Sequence, residues 1–256
     1  MLNILKTKMS KATVKIGDKF NTKYGICEVI DYQNCENVFV KFENTGSITR
    51  TNTTALRKDS VRDYYAPSIA GVGYFGQGEY KARINKKMTK EYQVWSGMIT
   101  RCYDEKSLQK EPSYRECGVC KEWHNFQTFA KWMIEESNYR EGWQLDKDLK
   151  NPENKIYCPE NCLFIPKELN KALVVNRISS KTTCRGVRLV DGLYLVSMSI
   201  NGKNTYYGSY TTEQEASRVY KEKKLEYLNS LAIKHQYPES ITQYFHDYVY
   251  NNYLYN

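Results

Sequence analysis

The stretch that most constrains this chain runs from Trp143 to Asn170, WQLDKDLKNPENKIYCPENCLFIPKELN. It opens on a short apolar strand signal ending in an acidic-basic-acidic triplet, Asp146-Lys147-Asp148. A polar turn and a second strand signal, Lys155-Ile156-Tyr157, come next. Pro159-Glu160-Asn161-Cys162 then leads into an apolar run, Leu163-Phe164-Ile165, and a polar finish at Asn170. Together these predict a β-hairpin running into a compact turn or helix. Carboxylates and an amide in such a unit can converge on one metal ion. The plain alternative is a solvated turn cluster.

The rest of the chain limits what that unit can serve. At 256 residues the sequence exceeds one minimal module, and two or three domains are expected. A net charge of +9 favours a polyanionic partner, because neutralising phosphates releases condensed counterions. A merely solvated basic surface would show the same balance. The opening Met1-Leu-Asn-Ile-Leu-Lys is too short for a secretory signal, and no run reaches the ~18 apolar residues of a membrane span. The expectation is a protein of the cytoplasm (of a bacterial host cell, if phage-encoded), with no membrane contact. Its eight cysteines are then reduced, and clustered spacing is better read as metal binding than as disulfides.

The pattern predicts an α+β, multidomain chain. Residues 1–65 alternate as short strands: Val14–Phe20, Cys27–Tyr32 and Val38–Phe42, with Ile48–Leu56 as a further strand. The spacing resembles Tudor-like small β-barrels. Residues 66–88 form a Gly-rich linker, with Gly71, Gly73, Gly76 and Gly78 close together. A central unit, 89–177, starts with two helix signals. Tyr92, Trp95, Ile99 and Cys102 share one stripe; Phe126, Phe129, Ala130 and Met133 share the next, opened by Asn125 as N-cap. Residues 180–235 read as three strands and a helix. Asp191-Gly192 and Asn201-Gly202 are hairpin turns, and Thr212 with Glu215 forms a capping box ahead of Ala216, Tyr220, Tyr227 and Leu231. A Tyr/Asn-rich tail, 236–256, closes the chain without a functional account.

Two resemblances follow from these residues. Arg185-Gly186-Val187-Arg188, Tyr194, Asn201-Gly202-Lys203, Gly208-Ser209-Tyr210-Thr211 and Glu213–Tyr220 resemble the APETALA-type DNA-binding domain of plant ethylene-response factors. That resemblance implies a three-stranded sheet in the major groove of double-stranded DNA. Arg185, Arg188, Tyr194, Ser197, Ser199, Lys203 and Tyr206 are its candidate contacts. The alternative is an exposed sheet face with no partner.

Trp95, Arg101-Cys102-Tyr103, Cys120 to Trp123, Leu145 to Asp148, Pro159 to Cys162 and Phe164-Ile165-Pro166 resemble the HNH, or His-Me finger, endonucleases of phages and mobile introns. The resemblance implies a central ββα unit holding one divalent ion on the scissile phosphate. Asp146 and Asn170 would be its ligands, and Asn161 the amide that orders the loop. Lys147 stands where the family's catalytic His belongs. An unperturbed lysine, near ~10.4, is a poor general base. Asp148, or His124 from outside the hairpin, are the alternative bases. Oxygen ligands favour Mg²⁺ or Mn²⁺.

Cysteine spacing adds a separate expectation. Cys117-x2-Cys120 and Cys158-x3-Cys162, with Cys102 as an alternative ligand, match a structural Zn²⁺ site. Buried free cysteines are the other reading. The functional expectation is a metal-dependent, DNA-binding endonuclease; its rival is a degenerate protein that keeps the fold and only binds or regulates.

Overall fold

The computed structural model describes residues 13–173, 182, 184, 186–200 and 202–252. Contacts divide the chain into two units, Met1–Tyr80 with His124–Gln127, and Lys81–Trp123 with Thr128–Asn256. The architecture is mixed helix and sheet, as expected. Among the described residues no helix is long and apolar enough to cross a membrane.

In the first unit, β1 (Lys19–Thr22), β2 (Gly25–Asn34), β3 (Asn37–Phe42) and β4 (Ile48–Thr51) form an antiparallel meander in that order. β3 alternates buried and open positions, as a half-buried strand must. The expected barrel is corrected here: β1 and β4 remain the two edges of an open sheet. The cause is local. Asn52 caps α1 (Thr53–Arg57) by accepting from Ala55 N at 2.8 Å, so the strand expected over Ile48–Leu56 ends at Thr51 and the remainder turns helical. Leu56 of that helix joins Val14, Val29, Val38, Val40 and Phe42 in the core.

The Gly-rich stretch, expected as a linker, is packed. Gly76 has φ +71°, and a Cβ there would lie 2.0 Å from Asn125 Oδ1; a Cβ on Gly78 would lie 2.3 Å from Gln127 Oε1. Gln127 in turn pairs both ways with the Tyr80 backbone, at 3.0 and 2.9 Å. The glycines permit a close approach of chain to side chain.

The second unit starts with a small hairpin, β5 (Arg83–Ile84) and β6 (Lys87–Met88). α2 (Lys90–Tyr103), α3 (Glu105–Lys110) and β7 (Gly118–Val119) follow. α4 (Phe126–Lys131) runs into a π turn, Trp132–Glu136. Trp95, Trp123, Phe129 and Trp132 make an aromatic core, with Trp95 Nε1 donating to Trp123 O at 2.7 Å. β8 (Trp143–Asp146), β10 (Leu163–Pro166) and α5 (Lys167–Leu173) make a central ββα unit, with β9 (Ile156–Tyr157) between the two strands in sequence.

β8 pairs antiparallel with β10, not with the nearer β9. β9 pairs in parallel with β7 instead. The reading of Lys155-Ile156-Tyr157 as the hairpin's second strand is thereby corrected. Leu163, Phe164 and Ile165 are all buried, whereas Ile156 stays exposed, so β10 gains more from pairing at the centre.

β11 (Val187–Val190), β12 (Leu193–Ile200) and β13 (Lys203–Tyr210) form the expected antiparallel sheet. α6 (Glu213–His235) packs on it, capped by Thr212 Oγ1 accepting from Glu215 N at 3.3 Å. α7 (Glu239–Thr242) and α8 (Phe245–Asn252) replace the expected tail. Ile241, Phe245, Tyr248 and Val249 are buried in one core with Leu163, Ile165 and Leu169 of the ββα unit and Val187, Val196, Tyr220 and Leu228 of the sheet and α6. The central and C-terminal regions, expected as separate domains, share that core. Arg185 and Asn201 lie outside the described residues.

Candidate functional site

The site grows from the end of β8. Strand alternation puts Gln144 and Asp146 on one face, opposite Ile165 and Leu163 of β10. Leu163 and Ile165 pack with Leu169, Ala172 and Leu173 of α5, so α5 covers that same face. From α5, Asn170 Nδ2 donates to Gln144 Oε1 at 2.9 Å. Asn170 is thus held at Gln144, two residues along β8 from Asp146.

Asp146 is buried. Its Oδ1 accepts from Leu149 N at 2.7 Å and Asp148 N at 3.1 Å, which folds the chain back after the strand. Its Oδ2 takes no hydrogen bond from a described residue. Burial, reinforced by the Asp148 charge, pushes the carboxyl up to about 6 against the pull of those backbone bonds.

Lys147 leaves the strand end toward the Tyr157 ring, 5.8 Å from its centre. Its side chain is only 8% exposed, and its Nζ bonds Asp148 Oδ1 at 2.5 Å and Asn154 O at 3.4 Å. Burial pulls this ammonium down, but the Asp148 bond and charge outweigh it and leave Lys147 above its usual range. A charged, salt-bridged lysine takes no proton from water. Arg101 stands on the same ring, 5.9 Å from Tyr157 and from Tyr114, with its Nε buried and unbonded.

Asn161 donates to Asn154 Oδ1 at 2.8 Å and to Ile156 O at 3.3 Å, so it ties the loop. The hub is Asn154, which sequence reasoning missed. It also accepts from Ile156 N at 2.9 Å and donates to Lys147 O and Ile156 O. The signal was present in the turn-forming Asn151-Pro-Glu-Asn154 run. Asn154→Ala is expected to cost about 1–3 kcal/mol in urea unfolding. An unchanged midpoint would mean that Asn161 and the strands hold the loop alone.

His124 belongs to the first unit, where its carbonyl accepts from Tyr74 N at 2.9 Å. The cysteines are all free. Strand alternation across Gly118–Val119 turns Cys117 and Cys120 to opposite faces. Cys120 continues the β7–β9 register beside Cys158, its N donating to Tyr157 O at 2.9 Å, while Cys102 feels the charge of Cys117. Burial pushes Cys102 and Cys120 up to about 11, and Cys162 further. Among the described residues no three His, Cys, Asp or Glu side chains gather as a metal-holding group.

On the C-terminal sheet, Val187, Val196 and Met198 face α6. The opposite face carries Arg188, Ser197 and Ser199, with Tyr206 across from Ser197 and Asn204 across from Ser199. Tyr206 is 59% exposed. Two further candidates lie elsewhere on this sheet. Tyr194 packs against the core, and Lys203 pairs with Ile200 at the exposed hairpin tip. Asn204 was missed, although counting back from the Asn201-Gly202 turn puts it opposite Ser199.

The fold and site thus define an α+β chain with a ββα unit and a polar three-stranded sheet on a shared core. Comparison with family models, with curated proteins and with solved structures gave no match to this chain.

Proposed function

We propose that this chain is a metal-dependent DNA endonuclease of the HNH-like kind that grips double-stranded DNA through its C-terminal sheet. The observation that carries the reading is the ββα arrangement, in which β8 and α5 bring Asp146 and Asn170 to one face. These two oxygen ligands fit Mg²⁺ or Mn²⁺. Asp146 Oδ2 takes no hydrogen bond from a described residue. Such an ion supplies charge stabilisation on the scissile phosphate and the leaving oxygen. Arg101 and Lys147 add fixed positive charge beside the same loop. The sheet row of Arg188, Ser197, Ser199, Asn204 and Tyr206 supplies hydrogen bonds for a groove, with Arg188 suited to guanine. The net charge of +9 supports a polyanionic partner.

A second reading, binding without cutting, is favoured by one observation. Lys147 is held charged by Asp148 at the position where a base is needed. The experiment is plasmid nicking by the full chain with Mg²⁺, with Mn²⁺ and with EDTA, beside Lys147→His. Metal-dependent nicking supports the nuclease. Nicking that appears only in Lys147→His supports a degenerate site on the same scaffold. Neither protein cutting or binding DNA would reject both readings. Arg188→Ala is expected to weaken duplex binding by about 1–3 kcal/mol, read by fluorescence anisotropy at fixed salt. Unchanged affinity would remove the sheet from the DNA interface.

A further inference from the structure

Away from Asp146, α5, the tip of the β12–β13 hairpin and α6 enclose a pocket of about 700 Å³. Lys224 of α6 forms part of its wall and is only 4% exposed. Its Nζ donates to the carbonyl of Ala172, near the end of α5. No ion pair joins it to a described carboxylate, and desolvation alone pulls its ammonium down to about 8. Glu168 lies on the same wall but is engaged by His235 at 2.7 Å and Lys234 at 3.6 Å. Lys167 and Lys171, one helical turn apart on α5 and both exposed, line the same pocket. Tyr220 and Tyr227 supply flat walls.

A buried ammonium without a counter-charge is costly, and an apolar side chain of similar length would fill the space at less cost. The arrangement makes sense if negative charge enters the pocket. We propose that this pocket is an anion site that receives a phosphate group on Lys224, with Lys167 and Lys171 as the rim cations. The phosphate comes either from a small phosphate ester or from a DNA backbone passing the hairpin tip. The site does not depend on the nuclease reading, because inorganic phosphate alone probes it.

The test compares the full chain with Lys224→Met, which keeps length and removes charge. Inorganic phosphate and phenyl phosphate are titrated calorimetrically at matched ionic strength, with chloride as the control. One phosphate per chain is expected on the wild type. Affinity should be at least tenfold weaker in Lys224→Met and several-fold weaker in Lys171→Gln. Lys171 is exposed, so that variant carries the test if Lys224→Met does not fold. A salt titration of duplex binding separates the two sources. Loss of about 0.9 from the slope of log K against log salt in the charge-deleted variant assigns the phosphate to DNA. An unchanged slope, with phenyl phosphate bound more tightly than inorganic phosphate, assigns it to a small ester. Equal phosphate affinity and equal slopes in wild type and variants would overturn the site.

Discussion

Asp146→Asn is expected to lower metal-dependent nicking by about a hundredfold or more while leaving the fold intact or more stable. The two effects have one source. Asn keeps an Oδ1 that can accept from Leu149 N and Asp148 N, so the turn after β8 survives. It removes the negative charge through which Asp146 would hold the proposed divalent ion. Burial has raised the Asp146 carboxyl to about 6, above its ordinary 3.8. Folding therefore favours the protonated form. The charged form costs stability that is fully felt above pH 6 and disappears as the pH falls below 3.8. A shift of this size corresponds to about 3 kcal/mol. In EDTA at pH 7, Asp146→Asn should unfold at higher urea than the wild type, and the gap should close between pH 6 and 3.8. Added Mg²⁺ should stabilise the wild type and not the variant. Robust nicking by Asp146→Asn would place the chemistry elsewhere. A variant less stable at pH 7 would mean that the carboxylate is already well compensated.

Gly186→Ala should destabilise the second unit by more than about 3 kcal/mol. Gly186 has φ +77°, and a Cβ there would stand 2.0 Å from Cε2 of Tyr220. Tyr220 is 2% exposed and belongs to the core that joins α5, the three-stranded sheet, α6 and the C-terminal helices. The ring cannot retreat without opening that core, and the backbone cannot relax while Val187 pairs with Val196. Because the core is shared, the loss should reach the ββα unit as well. Urea unfolding followed by far-ultraviolet circular dichroism should show one transition at much lower denaturant. Amide exchange at Leu145 and Leu163 should quicken with that at Val196. An alanine variant within about 1 kcal/mol of the wild type would mean that the contact is soft. Fast exchange confined to the sheet would mean that the two regions fold independently.

Much of the local structure was legible in the residues. The alternation of Val38–Phe42 specifies a strand, Thr212 with Glu215 starts α6, and the turn after Ile200 sets the pairing of Ile200 with Lys203. These signals act over a few residues, so they survive without knowledge of the rest. Asp146, Asn161 and Asn170 could be named because their stretch resembles the HNH pattern. Their geometry could not. Two short runs, Ile156–Tyr157 and Leu163–Pro166, compete to pair with β8, and only the buried area at each position chooses Leu163–Pro166.

The sequence by itself determined most of the element types, the basic charge and the acidic-amide cluster, because propensity, period and side-chain chemistry are local properties. Tertiary structure decided that β9 joins β7 in parallel, that Tyr194 turns inward, and that Ile241, Phe245 and Val249 of the Tyr/Asn-rich end complete a core. It also buried Lys224 within a helix whose neighbouring Lys221, Lys223 and Glu222 read as a solvated face. Burial and long-range pairing depend on which surfaces compete for the same core, and no single stretch of chain carries that information.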